Sequence, residues 1–190
     1  TEASYFFKNA DNTLFTTMGI ETKLQIGYTT NIENADNFGY LIPAIAFNHK
    51  ITENGKLVLA SKVKSHFNFG KSFEFYQAAS IGGSNGLRGF RNERFTGKNA
   101  FYQSTDVRLN LRKIKTSLMP LSIGIYTGFD FGRVWGNQEK YTINTISTRD
   151  IKTSYGGGFF FSIANLLNAN IAIFNSEDGA RLFGGLGFNF

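Results

Sequence analysis

Residues 80–90, Ser-Ile-Gly-Gly-Ser-Asn-Gly-Leu-Arg-Gly-Phe, set one cation, Arg88, and one aromatic, Phe90, among four glycines, Gly82, Gly83, Gly86 and Gly89. Glycine lets a backbone take φ > 0 or approach other groups closely. A guanidinium held on so tight a loop calls for an anionic partner, to which it can make bidentate, charge-assisted hydrogen bonds. The plainer reading of the same residues is a solvated hairpin loop with a scattered arginine. Other chemistries find less support. The stretch lacks the Gly-Lys-Ser/Thr ending of a phosphate-binding loop and does not lead from a strand into a helix. His49 and His66 stand alone and read as wall or turn residues, and the chain has no cysteine, so neither a metal nor a cofactor is expected. No spacing of Ser, His and Asp singles out a nucleophile and a base, so an enzyme is not expected. The net charge of +6 is spread along the chain rather than gathered in an aromatic-interleaved patch, which argues against nucleic acid.

The elements that must hold this loop are strands. Twenty-one Phe, 8 Tyr and 21 Gly against 2 Pro and 1 Trp suit strands and tight turns. There is no sustained helical spacing and no apolar run long enough for a membrane helix, so a bilayer would have to be crossed by a barrel. Residues 1–13 are polar and weakly patterned; they are left unassigned between a lead-in, an extra edge strand and a plug. From 14 to 190 the chain reads as one barrel domain. Its first run, Leu14 to Thr30, alternates Met18, Ile20, Thr22, Leu24, Ile26 and Tyr28 with Gly19, Glu21, Lys23, Gln25 and Gly27. Phe38 to Lys50 follows, blurred by Pro43. The next run sets Leu57, Leu59, Val63, Phe67 and Phe69 against a basic face with Lys56, Lys62, Lys64 and His66. Beyond the glycine-rich interval come Phe101 to Arg112, Leu121 to Trp135, Tyr155 to Ile163, Leu167 to Ile173, and Leu182 to Phe190. That makes about eight strands in an antiparallel up-and-down barrel.

The two long connections fall at the same end of such a barrel, as in transmembrane barrels with tight periplasmic turns and longer outer loops. Eight strands would also put both chain ends at the periplasmic side. The rival is a soluble lipocalin-like carrier of an apolar ligand, with its apolar stripe turned inward. The last residues favour the membrane: Phe190, Phe188 and Gly185 resemble the C-terminal targeting signal of bacterial outer-membrane barrels, although Phe183 stands where that signal usually has a polar residue.

Leu87-Arg88-Gly89-Phe90, preceded by Gly82-Gly83, resembles the sixth-loop motif of the BamA/TamA-type outer-membrane assembly-factor superfamily, whose barrel is the bacterial surface antigen domain. That family also carries a Phe-x-Asp-x-Gly strand pattern two strands later. Gly128-Phe129-Asp130-Phe131-Gly132 supplies the Asp and the final Gly but has Gly128 in place of Phe. The resemblance covers about Leu14 to Phe190 and implies that Arg88 folds into the lumen and pairs with Asp130. Consistent with this, Asp130 lies on the polar face, where an unpaired charge would be costly. The competing expectation is that both pair with nearer groups such as Glu93 or Arg133. Replacing Arg88 should therefore do more harm than replacing an outer-loop cation such as Lys140.

Family members usually have about twice as many strands and carry periplasmic domains, neither of which is evident here. Because side chains nearly fill an eight-stranded lumen, either the loop caps the barrel or the strands join a larger assembly such as a homodimer. The resemblance implies a bacterial outer-membrane protein, in contact with outer-membrane lipid and lipopolysaccharide, that helps client polypeptides insert into or cross that membrane. A structural anchor or narrow pore without a client is the alternative, and the soluble carrier comes third.

Overall fold

Alternation, with exposed apolar side chains on one face and small, charged or buried aromatic ones such as Tyr126, Phe160 and Phe174 on the other, produces long strands over most of the described residues. The structure, a computed structural model, describes residues 1–11, 16–30, 37–70, 74–115, 120–136, 150–163 and 167–186. Nine strands form one antiparallel sheet in simple up-and-down order: β1 (Glu2–Ala10), β2 (Gly19–Thr30), β3 (Asn37–Lys50), β4 (Leu57–Gly70), β7 (Asn99–Lys115), β8 (Pro120–Trp135), β9 (Lys152–Ile163), β10 (Leu167–Ser176) and β11 (Gly179–Leu186). Two short strands, β5 (Ala79–Ile81) and β6 (Phe95–Gly97), pair as a separate hairpin inside the connection between β4 and β7. The main strands run from 8 to 17 residues, bracketing the roughly 9 to 11 that a tilted strand needs to cross a bilayer.

Eight of these strands correspond to the eight runs of alternation. The ninth, β1, lies in residues 1–13 and pairs with β2 from Glu2 opposite Gly27 to Ala10 opposite Gly19. Its signal is hidden because Tyr5, Phe6 and Phe7 are consecutive aromatics and mask the period of two. The extra strand reverses one expectation. With nine antiparallel strands Thr1 and Leu186 lie at opposite ends of the sheet, not both at one end. The long connections, residues 71–98 and 136–151, do share an end, together with 31–36 and the tight turn at 177–178. Pro43 does not break β3. Leu41 faces Phe67 and Ala44 faces Lys64 in one unbroken register, with no bridge to β4 at Ile42 or Pro43. A proline has no N–H to give the ladder, so the strand loses pairing locally without slipping.

Burial shows which face meets which medium. Ile26, Phe129, Phe159 and Ile173 on the apolar face are each about half exposed, at 53%, 49%, 58% and 59%. On the opposite, inner face Asp106, Asp130 and Ser154 are fully buried. Greasy residues outside and ions inside are the inverse of a soluble carrier, and they suit a wall surrounded by hydrocarbon. β1 and β11 are the two edges of the sheet and are not paired with each other among the described residues.

Candidate functional site: the inward-folded loop and its buried ionic cluster

The connection between β4 and β7 folds back onto the inner face of the sheet. Its β5–β6 hairpin pairs Ala79 with Gly97 and Ile81 with Phe95, and its tip is tightened by the Asn85 N–H donating to the Gly82 carbonyl at 2.7 Å. The apolar residues of this loop point into the sheet. Ile81, Leu87, Phe90 and Phe95 are all at most 1% exposed and cluster with Ala100 and Tyr102 of β7 and Val134 of β8. The Phe90 and Phe95 rings meet edge to face at 5.0 Å. Burying side chains of this size contributes about 1.5 to 3 kcal/mol each, enough to hold the loop down while Arg88 is placed.

Arg88 then reaches Asp130 of β8. Its backbone N–H donates to Asp130 Oδ2 at 3.0 Å, Nε donates to both carboxylate oxygens at 3.1 Å, and Nη2 donates to Oδ1 at 2.6 Å. The same Nη2 lies 2.8 Å from Oδ1 of Asp106 on β7, a close charge contact without an aligned N–H. Arg108 Nη2 approaches the other Asp106 oxygen at 3.5 Å. From β9, Ser154 Oγ donates to Asp130 Oδ2 at 2.9 Å, and the Phe174 ring of β10 lies 4.1 Å beneath the guanidinium carbon. Two carboxylates and two guanidiniums thus share one enclosed site. Buried ions persist when paired and hydrogen-bonded, as Arg88 and Asp130 are; Asp106 is paired with both guanidiniums, but its Oδ1 and Arg108 Nε make no hydrogen bond.

Two glycines make room for this. A Cβ at Gly128, which faces Asp106 across the ladder, would sit 2.5 Å from both Arg88 Nη2 and Asp106 Oδ1. The Gly128 that departs from the family pattern is therefore where the guanidinium passes. A Cβ at Gly89 would lie 2.8 Å from Ser154 Cβ and 3.0 Å from the Asn175 carbonyl oxygen; with no side chain, Gly89 lets its own carbonyl accept a 2.8 Å bond from Ser176 Oγ.

A second, more exposed tie lies at the rim. Arg94 Nε donates to Asp178 Oδ2 at 2.7 Å, and Lys152 pairs with Glu177 at 2.7 Å, so the loop and β9 are both fastened to the β10–β11 turn. The hydrogen bond from Arg94 holds the Asp178 carboxyl below its usual range, and Asp178 in turn raises the Arg94 guanidinium.

The structure thus brings Leu87, Arg88, Gly89, Phe90 and Asp130 together. Gly82 and Gly83 shape the loop tip, and Gly132 lies beneath Ile81. Gly185 is elsewhere, on β11 opposite Asn170. Phe188, Phe190 and Lys140 lie outside the described residues. Glu93 and Arg133 do not serve the cluster: Glu93 sits in the loop tip with φ 53°, and Arg133 projects from the outer face toward the Trp135 ring at 5.8 Å. Sequence reasoning missed Asp106, Arg108 and Ser154 as members. The available signal was a carboxylate, Asp106, on the polar face of β7; its place opposite Gly128 follows only from the β7–β8 register. Among the described residues no group of His, Asp or Glu could hold a metal ion.

The inner face of β2–β4 is different. Glu21, Lys23, Gln25, Ile42, Ala44, Ala46, Lys62 and Lys64 line a cavity of about 220 Å³, and no residue of the loop lines it. A protein-family model described as haemolysin secretion/activation protein ShlB/FhaC/HecB matches residues 5–151, from β1 through the loop, Asp106 and Asp130 to the connection after β8. No curated protein matches the chain. The matching family is related to the assembly-factor superfamily, and is one of secretion and activation rather than of the assembly factors specifically.

Proposed function

Because the chain belongs to the haemolysin secretion/activation protein ShlB/FhaC/HecB family, whose members are outer-membrane transporters of Gram-negative bacteria, we propose that it forms the part of such a transporter along which an unfolded polypeptide passes. The observation that carries this reading is the Arg88–Asp130–Asp106 cluster, which pins the loop to β7–β10 while the β2–β4 wall keeps a polar cavity. One half of the inner face is filled and rigid; the other offers the passing chain a surface with hydrogen-bonding groups.

The proposed work is non-enzymatic. It consists of a hydrated, low-barrier surface across the hydrocarbon and a wall stiff enough to keep it open. In hydrocarbon an unpaired edge strand costs several kcal/mol per unsatisfied backbone group, so β1 and β11 must both be paired in the membrane. A second copy of the chain is one way to pair them, and a one-chain mass in detergent would contradict it. Insertion of client barrels, the activity suggested by the assembly-factor resemblance, would use the same wall; contact with outer-membrane lipid and lipopolysaccharide falls to the exposed apolar face.

The test is reconstitution of the native transporter into liposomes loaded with protease, with an unfolded client added outside. Passage predicts cleavage of the client that depends on the transporter. A structural anchor or a pore too narrow for a chain would leave the client intact while the protein is correctly inserted.

A further inference from the structure

Lys23 of β2 and Lys64 of β4 both face Ala44 of β3 across the ladder, one on each side. They therefore stand in one row on the inner face, two strand spacings or about 10 Å apart, with only a methyl group between them. Lys62 lies two residues along β4 from Lys64, opposite Ala46, and Ala46 is flanked on its other side by Glu21. Small side chains under long cations make a shallow trough with an ammonium on each bank, and these residues line the 220 Å³ cavity.

The charges around the trough are unequal. Glu21 is held by Lys8 of β1 at 2.6 Å, and Glu2, further along β1, accepts from Gln25 Nε2 at 3.4 Å. Among the described residues no carboxylate pairs with Lys23 or Lys64; Lys64 Nζ instead reaches the neutral side-chain oxygen of Asn85 in the docked loop at 3.4 Å. The opposite half of the inner face differs, for there each carboxylate, Asp106 and Asp130, faces an arginine. Lys23 and Lys64 thus face no carboxylate among the described residues, whereas Arg88 and Arg108 of the cluster do.

We propose that the trough between Lys23 and Lys64 is a binding site for carboxylate side chains of an extended polypeptide, so that this wall favours acidic client segments over neutral or basic ones. The proposal rests on the passage reading above and adds the chemistry of what passes. An extended chain places alternate side chains on one face about 7 Å apart, so acidic residues at every second position form a row that can meet both ammonium groups in turn. Half-exposed ion pairs are individually weak and readily exchanged, which suits a site that must release what it holds.

The probes are three fluorescent peptides of equal length, repeats of Ser-Asp, Ser-Asn and Ser-Lys, titrated by polarisation onto the native transporter in detergent. The Asp peptide should bind about tenfold tighter than the Asn peptide at low salt, a preference that high salt should erase. Lys23→Gln/Lys64→Gln should abolish the preference, and Lys23→Glu/Lys64→Glu should transfer it to the Lys peptide, with heat-modifiable mobility confirming that each variant is folded. Equal binding of Asp and Asn peptides to the native protein overturns the charge preference and leaves passage standing. Binding of none of the three overturns the proposal, and the liposome assay then decides the fate of the passage reading separately.

Discussion

The two halves of the inner face solve opposite problems with the same strand geometry. In β7–β10 the face is closed: the loop inserts Leu87 and Phe90, Arg88 satisfies Asp130 and Asp106, and Phe174 lies against the guanidinium. In β2–β4 the face is open, with lysines along a trough floored by alanines. Both halves place charge on the lumen side; what differs is that Asp106 and Asp130 are held by arginines, whereas Lys23 and Lys64 meet no carboxylate among the described residues. Fixed partners give rigidity, and exchangeable ones leave a surface that can hold and release. The comparison locates stability in one half and traffic in the other.

Ways to break that division can be ordered by size. Arg88→Ala removes the partner of two buried carboxylates and should destabilise the closed half by about 3 to 5 kcal/mol, measurable as a lower urea midpoint of the liposome-folded protein. Arg88→Lys should recover only part of this, since a point ammonium cannot bond both oxygens of Asp130 and also reach Asp106. Leu87→Ala comes next, at about 2 to 4 kcal/mol by the same measurement, because it opens a cavity beneath the docked loop. Gly128→Val should cost about 1 to 3 kcal/mol by displacing the guanidinium, and Asp106→Asn in the same chain should change the cost non-additively because both substitutions act on one contact.

The rim tie is expected to be the smallest of these effects. Arg94→Ala should cost less than about 1 kcal/mol, since the pair is part-exposed. Its pH dependence has a definite sign. The Asp178 carboxyl is lowered in the folded state, so its contribution is complete above the ordinary carboxylate range near about 3.9 and fades as the pH falls through the lowered value. A fluorophore attached at Ser84→Cys, in a chain with no other cysteine, should report loosening of the loop tip on acidification, and Arg94→Ala should remove that acid transition.

Much of this was legible in the residues. Alternation located eight strands because side-chain period and burial agree in a two-faced sheet, and the loop motif with Asp130 pointed to the clasp. β1 was hidden by Tyr5-Phe6-Phe7, where an aromatic on the lumen side breaks the period. Asp106 was hidden for a different reason. Its partnership with Arg88 depends on the register between β7 and β8, which sets Asp106 opposite Gly128, and no local pattern encodes that pairing. The rim tie between Arg94 and Asp178 spans 84 residues and exists only because the loop folds back over β10.

Amide hydrogen exchange across residues 79–97 of the membrane-reconstituted protein tests the central claim most directly. The docked loop predicts that the segment around Arg88, whose own N–H is bonded to Asp130, exchanges as slowly as β8 and becomes fast in Asp130→Asn. Fast exchange of that segment in the native protein, or slow exchange that Asp130→Asn leaves unchanged, would contradict it.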